Sequence, residues 1–210
     1  MNPVRTTRGP ALGLTRRVAV VIALVVAVLA LQWAWLSARS SPAPIDGQLA
    51  LTSGLTGLVD QDGRPFVEAQ AHHKLRLVFF GYSHCPDVCP TTLTRVARAL
   101  DLLGEEASDV LPLFVTLDPE RDTPALLRDY VAALDPRLTA LTGPAEAVAA
   151  AAKAYRVYYA KAGDDADYLM DHSAYLYLVA GDGTTAGYAP HDTTAEQLAE
   201  RLRTELAALR

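Results

Sequence analysis

The 210-residue chain is poor in cysteine, having only Cys85 and Cys89. Two cysteines cannot staple a scaffold through disulfides, so a pair this close together points to one local site. Acidic residues are missing from the first 36 positions, where Arg5, Arg8, Arg16 and Arg17 are the charged side chains. Removing those four from the 19 basic residues leaves 15 against 24 acidic ones, a net charge of −9 beyond residue 36. A surface of that sign repels phosphate backbones, which argues against nucleic acid as a partner. Internal repeats and low-complexity tracts are also lacking, apart from one linker. Half of the residues are hydrophobic, which excludes wholesale disorder, and the length suits one ordinary domain with something added.

The addition is at the N-terminus. Val18–Leu31 is unbroken apolar sequence, and Gln32 alone interrupts its continuation through Trp33, Ala34, Trp35 and Leu36. About 20 mostly apolar residues span a bilayer. The preceding arginines would hold the N-terminus in the cytoplasm and export the rest of the chain. This divides the chain into a basic segment (1–17), a transmembrane anchor (18–36), a Ser/Pro/Ala/Gly-rich linker (37–50) and a domain (51–210). A cleaved signal peptide is the alternative, with Leu36-Ser37-Ala38 as a fair cleavage site. No cysteine follows the run to take a lipid. Either reading puts the domain outside the cytoplasm, on the periplasmic or extracellular side of a bacterial inner membrane, in an oxidising compartment.

Within the domain, Leu51–Val59 and Arg64–Ala69 read as an N-terminal β-hairpin around Asp60-Gln61-Asp62-Gly63. Leu75–Tyr82 and Val110–Leu117 are apolar runs of the kind buried on both faces of a sheet. Helices are expected over Pro90–Leu103, Thr123–Leu134, Pro144–Tyr155 and Thr193–Leu209, with a short strand at Leu138–Leu141. Residues 156–172 read as a polar loop around Gly163-Asp164-Asp165. Tyr175–Val179 and Thr184–Tyr188 form a second hairpin through Gly181-Asp182-Gly183. Strands alternating with helices, then a hairpin and a final helix, predict an α/β thioredoxin-like fold.

The chemistry concentrates in Gly81-Tyr-Ser-His-Cys85-Pro-Asp-Val-Cys89-Pro90, between a buried strand and a helix, where open α/β sheets place their sites. Residues four apart share a helix face, so both sulfurs can point at one small object. Helix N-termini favour thiolate over thiol. Such a pair can bond to itself or to a soft metal. Dithiol oxidoreductases of the thioredoxin type use C-x-x-C, whereas this C-x-x-x-C leaves room for a bridging atom, although a strained disulfide stays open. Thiolate pairs select Cu(I), zinc or iron–sulfur clusters. Clusters and structural zinc need four protein ligands, whereas copper accepts three.

His172, in Asp171-His172-Ser173 ahead of a strand, is the candidate third ligand; it would complete an S₂N set holding one copper per chain. Asp87 and Asp171 could tune the charge of the site or hydrogen-bond a ligand, with capping and turn formation equally good accounts. His84 points away from its neighbour Cys85 and suits a supporting role. His72, His73 and His191 read as solvated turn residues, and Met170 as core. If the pair is redox-active instead, Cys85 and Cys89 are the catalytic residues of a thiol–disulfide oxidoreductase. A peroxidase is a third, weaker reading.

At these residues the sequence resembles the SCO/SenC family of copper-handling proteins in cytochrome c oxidase assembly. The shared blocks are Val59-Asp-Gln-Asp-Gly63, Phe80–Leu93, Leu117-Asp-Pro-Glu-Arg-Asp-Thr-Pro124, Leu141-Thr-Gly143 and Asp171-His-Ser173. The resemblance implies a thioredoxin fold, a membrane anchor, and copper held by Cys85, Cys89 and His172. It further implies delivery of copper to the dinuclear copper site of oxidase subunit II, or reduction of that site's disulfide. Asp118, Glu120, Arg121 and Asp122 are read as a surface loop near the site, suited to partner docking or, for Asp118, to supporting the metal ligands, with a capping turn before Thr123 as the alternative account.

Overall fold

A computed structural model describes residues 19–20, 22–30, 32, 54–67, 74–163 and 167–209. The described residues near the N-terminus are helical and exposed. Among the described residues no helix is long and apolar enough to cross a membrane. The anchor expected over 18–36 falls partly, and the linker wholly, outside the described residues.

The domain is built on a six-stranded sheet of order β1-β4-β3-β2-β7-β8. Its centre is β2 (Leu75–Gly81), parallel to β3 (Val110–Thr116) and antiparallel to β7 (Tyr175–Ala180). β4 (Thr139–Thr142) continues the parallel side, β1 (Val59–Asp60) closes that edge, and β8 (Thr185–Pro190) closes the other. Every residue of β2 is buried, because both faces of the sheet are covered. Leu75, Leu77 and Phe79 face one core with α1 (Val88–Leu103), α2 (Pro124–Leu134) and α4 (Ala195–Ala208). Val78 and Phe80 face the other, with α3 (Ala145–Ala154), Leu55 and Leu58. Burying one such side chain is worth about 1.5–3 kcal/mol, against about 0–1 kcal/mol for an exposed ion pair. The apolar sheet faces therefore dominate over surface pairs such as Arg98–Glu196. This is the expected α/β thioredoxin-like architecture.

Helix ends follow local chemistry. Thr123 caps α2, accepting from Leu126 N, with Pro124 in the first turn. Thr194 and Gln197 form a reciprocal capping box on α4. α1 begins two residues before Pro90, because a proline in the first turn lacks only an N–H that would have no partner there.

Two expectations change. The N-terminal hairpin shrinks to a turn with a single bridge, Val59 to Pro65. Its first arm pairs with β4 instead, and its outer ends lie outside the described residues. Asp60 Oδ1 accepts from the Asp62 and Arg64 amides at 2.9 Å each, tightening the turn at the expense of strand pairing. The polar loop at 156–172 contains a separate two-stranded sheet, β5 (Tyr159–Ala162) and β6 (Leu169–His172). Its strands are too short, and their patterning too mixed, for alternation to announce them.

Gly81, at the end of β2, illustrates how tightly the sheet meets the site. A Cβ there would lie 2.7 Å from Cys89 Sγ and 2.9 Å from Phe114 Cε2. Gly81→Ala should therefore destabilise the reduced protein by roughly 1–3 kcal/mol, the usual cost of overpacking. A denaturant titration showing an unchanged midpoint would rule out this close approach.

Candidate functional site

After Gly81 the chain leaves the sheet and turns, with the Cys85 N–H donating to the Tyr82 carbonyl at 3.3 Å. Asp87 sits at the N-cap of α1 yet makes no side-chain cap. Its carboxylate accepts from Thr91 Oγ1 at 3.2 Å instead. The sulfur of Cys85 takes over the capping role, accepting from the Cys89 N–H at 3.4 Å. The neighbouring Cys89 thiol and the Asp87 N–H also favour its thiolate form. These influences, the thiol first, outweigh the cost of burial and lower the Cys85 pKa to about 5. Cys89 is fully buried, and its bond to Cys85 together with desolvation pushes its own pKa up. The pair is therefore asymmetric: a half-buried thiolate beside a buried thiol.

His172 arrives from the other side as the last residue of β6. Because β7 runs antiparallel to β2, pairing Leu176 with Phe79, the segment before β7 lies beside the end of β2, where the cysteine loop starts. His172 Nδ1 lies 3.1 Å from the Ser173 carbonyl, which can only accept, so the proton sits on Nδ1. The Nε2 lone pair then faces Cys89 Sγ at 3.8 Å. Phe79 and Tyr82 hold the ring edge-on, with centroids 6.3 Å and 6.1 Å away. The structure thus joins Cys85 to Cys89 and Cys89 to His172. Among the described residues no three His, Cys, Asp or Glu side chains are already drawn into a closed metal-ready group. A shared ion would have to draw Cys85 and His172 in upon Cys89.

The other candidates divide. Asp87 reaches the site through its main chain, and Asp171 is exposed on β6. Asp118 is buried, 3% exposed, and its carboxylate accepts from the Tyr168 hydroxyl at 2.7 Å. It is therefore not the surface docking group expected from sequence. His84 is exposed, with Nδ1 3.0 Å from Ser83 Oγ. His191 is a half-buried turn residue whose carbonyl accepts from Arg95. Met170 belongs to the core, and His72 and His73 lie outside the described residues.

Sequence reasoning missed Asp122 as the support of the cysteine loop. Its carboxylate is completely buried and accepts from Ser83 N at 3.0 Å, Ser83 Oγ at 2.5 Å and Thr116 Oγ1 at 2.6 Å. The available signal was a hydroxyl residue at or just past the end of each of two adjacent apolar strands.

The family model described as SCO1/SenC matches residues 50–207. The chain belongs to the SCO1/SenC family. An SCO2-like protein of Rickettsia conorii is 33% identical over 198 residues, covering 90% of this chain and 96% of that one. The mitochondrial SCO2 homologue of Mus musculus is 38% identical over 190 residues, covering 85% of this chain and 74% of its own. Among solved structures, Arabidopsis thaliana ScoI with copper bound has a TM-score of 0.69 and 34% identity, covering 73% of this chain and 96% of that chain. Bradyrhizobium japonicum ScoI with copper bound has a TM-score of 0.66 and 40% identity, covering 70% of this chain and 95% of that chain. These family members share the fold on which the cysteine loop and the histidine hairpin are mounted.

The asymmetry of the thiols is measurable. Alkylation of the reduced, metal-free protein by iodoacetamide should occur first at Cys85. Its rate should rise through a midpoint near pH 5, rather than through the ~8.5 of an ordinary thiol. Cys89 should stay protected until the protein unfolds. A single rise between pH 8 and 9 at Cys85 would contradict the capping geometry.

Proposed function

We propose that this protein is a copper chaperone that takes one copper ion on Cys85 Sγ, Cys89 Sγ and His172 Nε2. The observation that carries the reading is the meeting of two thiols and an imidazole at the junction of β2, α1 and β6. Two soft sulfurs and one nitrogen suit copper in either oxidation state, and the copper-bound relatives from Arabidopsis thaliana and Bradyrhizobium japonicum support it. Copper is cargo here. A recipient displaces the three donors stepwise by offering its own, and the family's link to oxidase assembly makes the dinuclear site of oxidase subunit II the proposed destination. We further propose that residues 18–36 anchor the protein in the bacterial inner membrane with the domain on the periplasmic or extracellular side. The arginines ahead of the apolar run support that orientation.

A second reading, reduction of a cysteine pair in the partner, is favoured by the half-exposed Cys85 thiolate. Cys85 would attack the partner disulfide and release one partner thiolate. Cys89 would then lose its proton and attack the Cys85 sulfur of the mixed disulfide, displacing the second partner thiolate and leaving a Cys85–Cys89 disulfide. Asp118 has no role in either scheme as a docking group.

The two readings separate on His172. The reduced full chain, incubated with copper under argon, should retain about one copper per chain and show a thiolate-to-copper charge-transfer band with Cu(II). His172→Ala should weaken retention by more than the 10- to 100-fold typical of losing a supporting group around a metal. It should also abolish the band while leaving disulfide reduction intact. A wild-type chain that binds no copper yet reduces disulfides would leave the reductase standing alone.

A further inference from the structure

The segment Leu117-Asp-Pro-Glu-Arg-Asp-Thr-Pro124 is not accounted for by the metal donors, yet it contains two buried carboxylates, Asp118 and Asp122. We propose that this segment is a brace joining the two halves of the site: Asp122 fixes the cysteine loop, while Asp118 and Arg121 hold Tyr168 and, through it, the β5–β6 hairpin that presents His172. Tyr168 is therefore a positioning residue for His172. The inference rests on the copper reading for its purpose but not for its geometry.

The cysteine half is held by the Ser83 and Thr116 hydrogen bonds to Asp122 already described. The histidine half begins four residues from Asp122, at Asp118. Asp118 accepts from Arg121 Nε at 2.5 Å and from the Tyr168 hydroxyl at 2.7 Å. The same Arg121 guanidinium lies over the Tyr168 ring, 3.6 Å from its centroid, and Lys161 Nζ lies 3.7 Å from that centroid. Lys161 comes from β5 and Tyr168 immediately precedes β6, so one aromatic ring ties both strands to the brace. Lys161 also approaches Glu120 at 3.8 Å, but both are exposed and that pair adds little.

The hairpin needs such an anchor. It forms its own two-stranded sheet outside the main one, and an isolated pair of short strands is marginal in water. At the His172 end it is held by the Ser173 N–H donating to the Tyr158 carbonyl at 2.9 Å and by burial of Met170. At the far end the Tyr168 clamp is the corresponding fixture. Loss of the clamp would let the hairpin open locally without unfolding the sheet. His172 would then spend less time facing Cys89.

The test compares Tyr168→Leu, which removes both ring and hydroxyl, with Tyr168→Phe, which keeps the stacked ring. In the metal-free full chain, amide exchange across residues 159–172 should accelerate on the order of tenfold to a hundredfold in Tyr168→Leu, in line with losing a charged hydrogen bond and two stacked cations. Tyr168→Phe should fall between it and wild type, while β2 and β3 keep their protection in both. With Cu(II), the Tyr168→Leu spectrum should move toward that of His172→Ala. Unchanged exchange at 159–172, or equal acceleration in β2 and β3, would overturn the brace. An unaltered copper spectrum alongside a loosened hairpin would overturn the positioning of His172. If wild type takes up no copper but the hairpin loosens as described, the copper reading fails and the brace stands.

Discussion

The site depends on where one buried carboxylate finds its hydrogen bonds. Asp122 is completely excluded from solvent, and a charge there is tolerable only if its oxygens are satisfied. Three donors do this, and they come from the ends of two adjacent strands: Ser83 just past β2, through both backbone and hydroxyl, and Thr116 at the end of β3. The Asp122 carbonyl accepts in addition from Thr142 Oγ1 at the end of β4, at 2.9 Å. One residue thereby ties the ends of three neighbouring strands together. The cysteine loop leaves the sheet at that point, so its first residues are fixed before α1 begins. The burial that makes the carboxylate costly to misplace is also what makes the loop geometry specific.

From that fixed start, sheet topology supplies the rest. The parallel β2–β3 pair opens its carboxyl ends toward the loop, as α/β sheets do at their sites. The antiparallel β7 brings its beginning to the same place, and β6 immediately precedes it. Two cysteines and a histidine more than 80 residues apart in sequence thus meet without a long loop crossing the domain. Phe79 serves both purposes, as a core residue of β2 and as one wall of the His172 ring.

Much of this was legible in the sequence, for identifiable reasons. Leu75–Tyr82 and Val110–Leu117 announced themselves because a strand covered on both faces has no polar alternation to confuse. Thr123-Pro124 marked a helix start because capping is a local property. Cys85, Cys89 and His172 stood out because few residue types carry soft-metal chemistry. The structure brings Cys85 against Cys89 and Cys89 against His172. The missed features depend on partners distant in sequence. β5 and β6 are four residues long each and mix Tyr, Lys, Met and Asp. Asp118 and Asp122, in a run of charged residues after a strand, resemble surface groups until their partners are known. Tyr168, Ser83 and Thr116 provide those partners, and the only local hint is that Ser83 and Thr116 are hydroxyl residues at the ends of apolar strands.

The use of Cys85 as a helix cap bears on how the site could accept and release cargo. The first amides of a helix have no partner within the helix, and at α1 the Asp87 side chain does not supply one. The Cys85 sulfur does, and a thiolate has lone pairs left over for a soft ion. On the proposed reading an incoming copper need not break the cap: Cys89 would give up its thiol proton to bind, while its backbone N–H stays on the Cys85 sulfur. The converse holds on release, when the Cys89 proton can return and restore the resting pair without rearrangement of the helix. On the proposed reading, the exchange leaves the fold in place and confines motion to the two sulfurs and the hairpin that carries His172. Such economy would suit the proposed delivery of the ion to a partner with a comparable donor set.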